Sequence, residues 1–274
     1  MKPNRFFILS VCTAALLNLI SCKNTEESRP VPLTVFETYS KAVMYELVDS
    51  QHFLGPQTDI TVCDSLTLIL PVKINGQDAA VLTDSIQQHA LDSRGTPFDE
   101  AVANWISPVV SETELPYKAV DLPVSMADGF QIVQGYVVNL SPNFLTYCIR
   151  TSTYYPGAAN GMETADYINY DIAANKILTL SDLFTPEGLN ALPAQIAAQA
   201  QNNMTYRDEV EITALPENGN FYLSSEGEIV FSYQPMDVAP HALGIIQVSF
   251  YPYELAQYMT PFAIRLFGLQ DLTF

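Results

Sequence analysis

Few residues of this 274-residue chain are spaced for catalysis or metal binding. The three histidines, His52, His89 and His241, lie far apart, and the sequence contains neither His-Glu-x-x-His nor Cys-x-x-Cys. It also lacks Gly-x-Ser-x-Gly, the turn that carries a hydrolase nucleophile. Acid pairs are abundant at a net charge of −18, so spacing cannot single out a glycosidase-type pair. We therefore predict a protein that is not an enzyme and has no metal site or cofactor.

A Gly-rich loop at residues 154–161 carries residue types that suit binding. Its candidate binding residues are Tyr154, Tyr155, Gly157, Asn160 and Gly161. The adjacent tyrosines offer a large amphipathic surface at low entropic cost. The glycines permit conformations that expose backbone N–H and C=O groups, and the asparagine can donate and accept hydrogen bonds. The same residues are also typical of a tight loop with glycines in the turn and tyrosines packed inward.

A second loop, residues 237–241, completes the predicted binding site. Asp237 adds a carboxylate that could pair with a basic partner, and His241 follows Pro240 at the end of the loop.

Several segments around these loops resemble one family. They are Gly157-Ala158-Ala159-Asn160-Gly161, then Leu178-Thr179-Leu180-Ser181-Asp182-Leu183-Phe184, then Gly227-Glu228-Ile229-Val230-Phe231-Ser232-Tyr233-Gln234-Pro235, Val238-Ala239-Pro240-His241-Ala242-Leu243-Gly244 and Tyr253-Glu254-Leu255. Their order resembles the RsiV-type domain of unknown function, family 3298, over roughly residues 150–260. The preceding residues are similar to its companion family 4163. Asn160 stands where that family usually has a histidine, and Met236 replaces its usual tyrosine.

The resemblance implies a function in the bacterial cell envelope. Relatives form the outer part of anti-sigma factors that sense lysozyme, or accompany a peptidoglycan deacetylase domain. This chain has neither accompanying segment, so the resemblance implies an accessory domain that binds cell-wall glycan or a lysozyme-like wall-degrading enzyme. Two alternatives are a structural envelope lipoprotein without a ligand and a cell-wall hydrolase related to the deacetylases.

The first 33 residues predict a lipid anchor. Residues 1–22 have a basic start, an apolar stretch too short to span a membrane, and Leu19-Ile20-Ser21-Cys22, which is typical of a lipobox. We expect acylation of Cys22, and two or more acyl chains suffice for stable anchoring. Residues 23–33 are polar, charged and Pro-containing, which predicts a tether. The expected location is therefore extracytoplasmic, on the periplasmic face or the cell surface.

The acidic charge indicates which partners the protein can have. Removal of Lys2 and Arg5 with the signal would change the net charge from −18 to −20, since residues 1–21 contain no Asp or Glu. Such a surface argues against nucleic acid and would attract basic proteins, although it also serves solubility.

The remaining pattern predicts an α+β fold with a mostly antiparallel sheet and packed amphipathic helices. We divide it into an N-terminal α+β region, residues 34–153, and a C-terminal RsiV-type domain, residues 154–274. Strands are expected at 34–47, 59–72, 117–124, 129–153, 165–172, 177–180, 210–233 and 244–251, and helices at 78–91, 96–109, 185–200 and 252–259. Cys63 and Cys148 both lie in strand-like runs. The sequence allows either a disulfide between them or two buried thiols.

Overall fold

The computed structural model describes residues 34–56, 59–203 and 207–271. The predicted signal peptide (1–22), the acylation site Cys22 and the tether (23–33) lie outside the described residues.

The α+β prediction is confirmed. The strands are β1 Val35–Val48, β2 Asp59–Ile74, β3 Gln77–Asp78, β4 Tyr117–Val120, β5 Gly129–Leu140, β6 Phe144–Tyr154, β7 Met162–Asp171, β8 Lys176–Leu178, β9 Phe221–Leu223, β10 Ile229–Tyr233 and β11 Ile246–Phe250. The α-helices are α1 Ala80–Leu91, α2 Phe98–Asn104, α3 Pro108–Ser111, α4 Leu180–Leu183, α5 Pro186–Asn203 and α6 Pro261–Leu266. Short 3-10 turns span Val124–Met126, Arg207–Glu209, Glu217–Gly219, His241–Leu243 and Pro252–Tyr258.

Two sheets organise these elements. The large sheet has the order β4-β1-β2-β5-β6-β7-β8, with β3 paired to β2, and the small sheet has the order β11-β10-β9. All the strand pairs are antiparallel except β2 and β5, which run parallel. The two regions predicted at 34–153 and 154–274 share the large sheet, since β7 pairs with β6.

Strand β6 lies at the centre of the molecule. Its residues 145–149 are all buried, so both faces of the strand are covered over this stretch. On one face, Leu145, Tyr147 and Ile149 pack with α1 and α2 in one core. Cys148 points to the other face, and Cys63 lies on β2, two strands away across β5. Both thiols are buried and unbridged, which agrees with a separation of about 10 Å or more from the strand spacing alone.

A second core lies between the small sheet and helices α4, α5 and α6. Leu192, Ile196 and Ala200 of α5 face it, as their helical spacing predicts. Pro193 lies inside this helix, where a proline usually causes a kink or a break, yet α5 runs from Pro186 to Asn203 without a restart. Burial of the flanking Leu192 and Ile196 offsets the cost of a missing N–H, which is about 3 kcal/mol in a helix interior.

Two other sequence predictions are wrong in detail. The helix expected over 96–109 begins after Pro97 and breaks at Trp105 before α3. Pro108 causes this break because it disfavours helical geometry at Ser107 and supplies no N–H. Trp105 nevertheless packs in the core. Residues 210–220 do not form a strand.

A buried amide joins the two sheets. Asn169 of β7 donates from Nδ2 to the carbonyl of Phe221 at 2.8 Å, and its Oδ1 accepts the N–H of Leu223 at 3.1 Å. The hydroxyl of Thr146 on β6 donates to the same Oδ1 at 2.9 Å, or to the carbonyl of Leu223 at 3.0 Å. The backbone of β9 is thereby fixed to the large sheet by side chains.

Two further amides contact the backbone of β7 beyond its pairing with β8. Gln234 accepts the N–H of Ala165 at 3.1 Å and donates to the carbonyl of Ala165 at 2.8 Å. Asn220 accepts the N–H of Tyr167 at 3.0 Å and donates to the carbonyl of Ala165 at 2.8 Å. These side chains take the place of a neighbouring strand.

Candidate functional site

The two predicted binding loops line one surface pocket. This pocket has a volume of about 330 Å³ and is lined by Thr153, Tyr155, Asn160, Gly161, Met162 and His241. Four of the predicted residues therefore come together: Tyr155, Asn160, Gly161 and His241. We call it the loop pocket.

The glycines of the first loop are required by its packing. Gly157 has φ of 81°, and a Cβ there would lie 2.1 Å from the carbonyl oxygen of Leu54. A Cβ at Gly161 would lie 2.8 Å from the carbonyl oxygen of Thr153. A tight turn that contains Gly157 is closed by the N–H of Ala158, which donates to the carbonyl of Tyr155 at 3.0 Å. Gly157 thus shapes the loop and does not line the pocket.

The two adjacent tyrosines have different environments because neighbouring residues at the end of a strand point to opposite faces. Tyr154 donates its hydroxyl to the carbonyl of Ala158 at 3.1 Å and packs its ring near Phe130, outside the pocket lining. Tyr155 lines the pocket and is half-buried. Burial raises the pKa of Tyr155. The negative charge of Glu112, whose carboxylate accepts a hydrogen bond from the phenol, raises this pKa further.

The second loop contributes through His241 rather than through Asp237. The Asp237 carboxylate accepts the N–H of Gln234 at 2.8 Å, so it stabilises its own turn and lies outside the pocket lining. His241 opens a 3-10 turn and is half-buried against the pocket. Met236, just before Asp237, is 67% exposed and has φ of 76°, an unusual conformation for a residue with a side chain.

Two lining residues were missed from the sequence. Thr153 and Met162 are the last Cα partners in the register of β6 and β7, where the hairpin opens into the first loop. The end of each predicted strand is the signal that could have identified them.

The lining of the loop pocket is chemically mixed. It combines hydrogen-bonding groups on Asn160, Thr153 and His241 with apolar contact surface on Tyr155 and Met162, and it contains no carboxylate. In the part of the chain that the structure describes, no three His, Cys, Asp or Glu side chains are grouped to hold a metal ion. No helix among those residues is long and apolar enough to cross a membrane.

Comparison with known proteins supports the fold and part of the family resemblance. Residues 181–254 match the family described as "Protein of unknown function (DUF3298)". The matched segment covers α4, α5, the small sheet and the start of the turn at Pro252–Tyr258. No curated protein matches the chain significantly.

Two crystal structures share the fold. A DUF3298 family member from Bacteroides fragilis is 18% identical, with a TM-score of 0.62 over 87% of this chain and 99% of that one. A DUF3298 family protein from Pseudomonas aeruginosa is 15% identical, with a TM-score of 0.51 over 86% and 97%. The chain therefore contains a DUF3298 match within a fold shared by proteins of that family.

Proposed function

We propose that this chain is a non-catalytic, lipid-anchored binding protein of the bacterial cell envelope, and that the loop pocket recognises a basic wall-degrading enzyme of the lysozyme type. The observation that supports it is the meeting of the two loops in one pocket. The proposal includes acylation at Cys22, an extracytoplasmic location, and assignment to the RsiV type of this family with a 4163-like N-terminal region.

The chemistry of the pocket favours a protein partner. The half-buried Tyr155 supplies a rigid amphipathic anchor, and Met162, also half-buried in the lining, supplies adaptable apolar contact. The net charge of −18 gives long-range attraction to a basic partner. Cell-wall glycan is the second ligand that the family resemblance implies, but the pocket provides no feature that favours it over a protein.

Binding of purified lysozyme to the immobilised full chain tests the proposal. We expect Tyr155→Ala and Asn160→Ala to weaken binding at least tenfold. Asp237→Ala should act mainly on the association rate, because its carboxylate lies outside the lining. Asn190→Ala, at an exposed position of α5, is the matched control and should leave affinity unchanged.

Ribonuclease A, a small basic protein, serves as the control for charge alone. The proposal fails if ribonuclease A binds as tightly as lysozyme. It also fails if the Tyr155 and Asn160 variants fold normally and bind within about threefold of the wild type, well below the ~2 kcal/mol expected of a hot spot.

A further inference from the structure

A second pocket lies at the other end of β6. Its volume is about 250 Å³, and it is lined by Phe144, Leu223, Ser224, Gly227, Glu228, Pro252, Tyr253, Phe267 and Leu269. Phe144 begins β6, whereas Thr153 of the loop pocket is nine residues further along. At ~3.3 Å per residue the two pockets are roughly 30 Å apart. We call this one the acidic pocket, because Glu228 is its single charged residue.

Two exposed aromatic rings flank the acidic pocket. Tyr251 and Tyr253 are 45% and 55% exposed, and their rings are nearly parallel, with centroids 5.7 Å apart and planes inclined by 6°. The turn that carries them is fixed locally, since the Glu254 carboxylate accepts the N–H of Tyr251 at 2.7 Å. Large rings on a fixed turn are available for contact at little entropic cost.

Among the side chains that the structure describes, Glu228 is a carboxylate without a cationic partner. It is half-buried, and its Oε1 accepts the hydroxyl of Ser249 at 3.1 Å. Three ion pairs of the described residues join Lys118 to Glu46, Arg150 to Glu163 and Lys176 to Asp182, and none of the three includes Glu228.

The negative charge of Glu228 acts on its surroundings. Burial raises the pKa of the Tyr222 phenol, and the charges of Glu228 and Glu226 raise it further. This end of the molecule thus combines a negative potential with an apolar cavity and an aromatic wall.

We propose that the acidic pocket binds an arginine side chain presented by a basic protein segment. The aliphatic part of the side chain would lie against Phe144, Phe267 and Leu269, and the guanidinium would reach Glu228 and the face of Tyr253. A carboxylate and an aromatic face match the planar, multiply donating guanidinium better than the compact ammonium of lysine. The volume is below the roughly 300–1,000 Å³ of pockets that hold drug-sized ligands, and it suits one long side chain. The site does not depend on the function proposed for the loop pocket.

Titration of the ¹⁵N-labelled full chain in neutral detergent with a blocked Gly-Arg-Gly peptide tests this assignment. Backbone signals of Gly227, Tyr253 and Leu269 should shift in a saturable way. Gly-citrulline-Gly, which keeps the shape without the charge, should bind at least tenfold more weakly, and Gly-Lys-Gly several-fold more weakly.

Substitutions separate the pocket from the general charge of the protein. Glu228→Gln and Tyr253→Leu should each weaken arginine binding at least tenfold. Glu37→Gln removes the same charge at an exposed position of β1 and should change affinity less than twofold. Tyr155→Ala should have no effect, which keeps this test separate from that of the loop pocket.

Three outcomes would overturn the assignment. They are citrulline binding as tightly as arginine, Glu37→Gln weakening binding as much as Glu228→Gln, and shifts that centre on another part of the chain. If Tyr253→Leu does not fold, the citrulline comparison on the unaltered protein decides the question.

Discussion

Replacement of Asn169 by alanine should weaken the contact between the two sheets and lower the free energy of unfolding. The side chain is 1% exposed and makes three hydrogen bonds, to the carbonyl of Phe221, the N–H of Leu223 and the hydroxyl of Thr146. Alanine keeps the strand but removes every one of them. The hydroxyl of Thr146 can still donate to the carbonyl of Leu223, which is 3.0 Å away, so it is not left without a partner.

The expected loss follows from the two backbone groups that alanine leaves unpaired. The carbonyl of Phe221 and the N–H of Leu223 are buried, and each such group costs about 1–3 kcal/mol. The free energy of unfolding should therefore fall by roughly 4 kcal/mol, a loss larger than most single substitutions cause.

Guanidinium chloride unfolding followed by circular dichroism measures this loss, with the denaturant slope as a check on the compactness of the two states. Asn190→Ala on the exposed face of α5 is the matched control and should lose nothing. Hydrogen exchange supplies a local reading, because the amide of Leu223 should lose its protection in the Asn169 variant.

A loss below about 1 kcal/mol with an unchanged slope would refute this reasoning. So would a protected Leu223 amide in the variant, since it would show that another group holds β9 against the large sheet.

Three further predictions concern the anchor, a buried acid and a tight loop. Cys22→Ala should abolish labelling by a palmitate analogue and shift the protein to the aqueous phase on detergent partitioning; unchanged partitioning would disprove the anchor. Burial raises the pKa of Asp64, so the folded state binds more protons than the unfolded chain between the two pKa values, and stability falls as pH rises through that interval. Asp64→Asn should remove this fall and raise the free energy of unfolding at pH 7, as pH-dependent denaturant titrations of both proteins would show; an unaltered pH dependence would contradict it. Gly157→Ala should lower the melting temperature by about 2–8 °C, and more than Gly227→Ala, because both glycines have positive φ but only a Cβ at 157 meets the carbonyl of Leu54. Equal losses in the two glycine variants would show that the close contact is unimportant.

The alternation of side chains along the strands was the most informative signal in the sequence. It placed β1 and β2 within two residues of their observed ends, because burial on one face of a sheet repeats every second residue. The same signal was misleading at residues 210–220. Val210 and Ile212 are buried at strand spacing, yet they pack as loop residues. The N–H of Glu211, which lies between them, donates to the carbonyl of Val238. Spacing shows which residues are buried but not which backbone is paired.

The candidate site was partly predictable. Two loops separated by some 75 residues were paired because both carried motifs of one family, and the structure brings Asn160 and His241 to one pocket. What could not be predicted was the use of each polar group. The carboxylate of Asp237 is used by its own turn, and the hydroxyl of Tyr154 by its own loop. The sequence does not predict the acidic pocket, because its residues come from four separate segments that only the fold brings together.

The side-chain amides of Gln234 and Asn220, which bond to the backbone of β7, affect whether copies of the protein can associate through this strand at high concentration. An unpaired strand at the border of a sheet is a template on which another chain can add its own strand, which leads to polymerisation. Here the N–H and carbonyl of Ala165 and the N–H of Tyr167 are already bonded to side chains that cannot extend into a further ladder. At the opposite border β4 is four residues long and carries the exposed Lys118. The part of β7 that β8 leaves unpaired is thus protected against edge-to-edge growth by side chains, whereas β4 covers only Met44–Leu47 of β1.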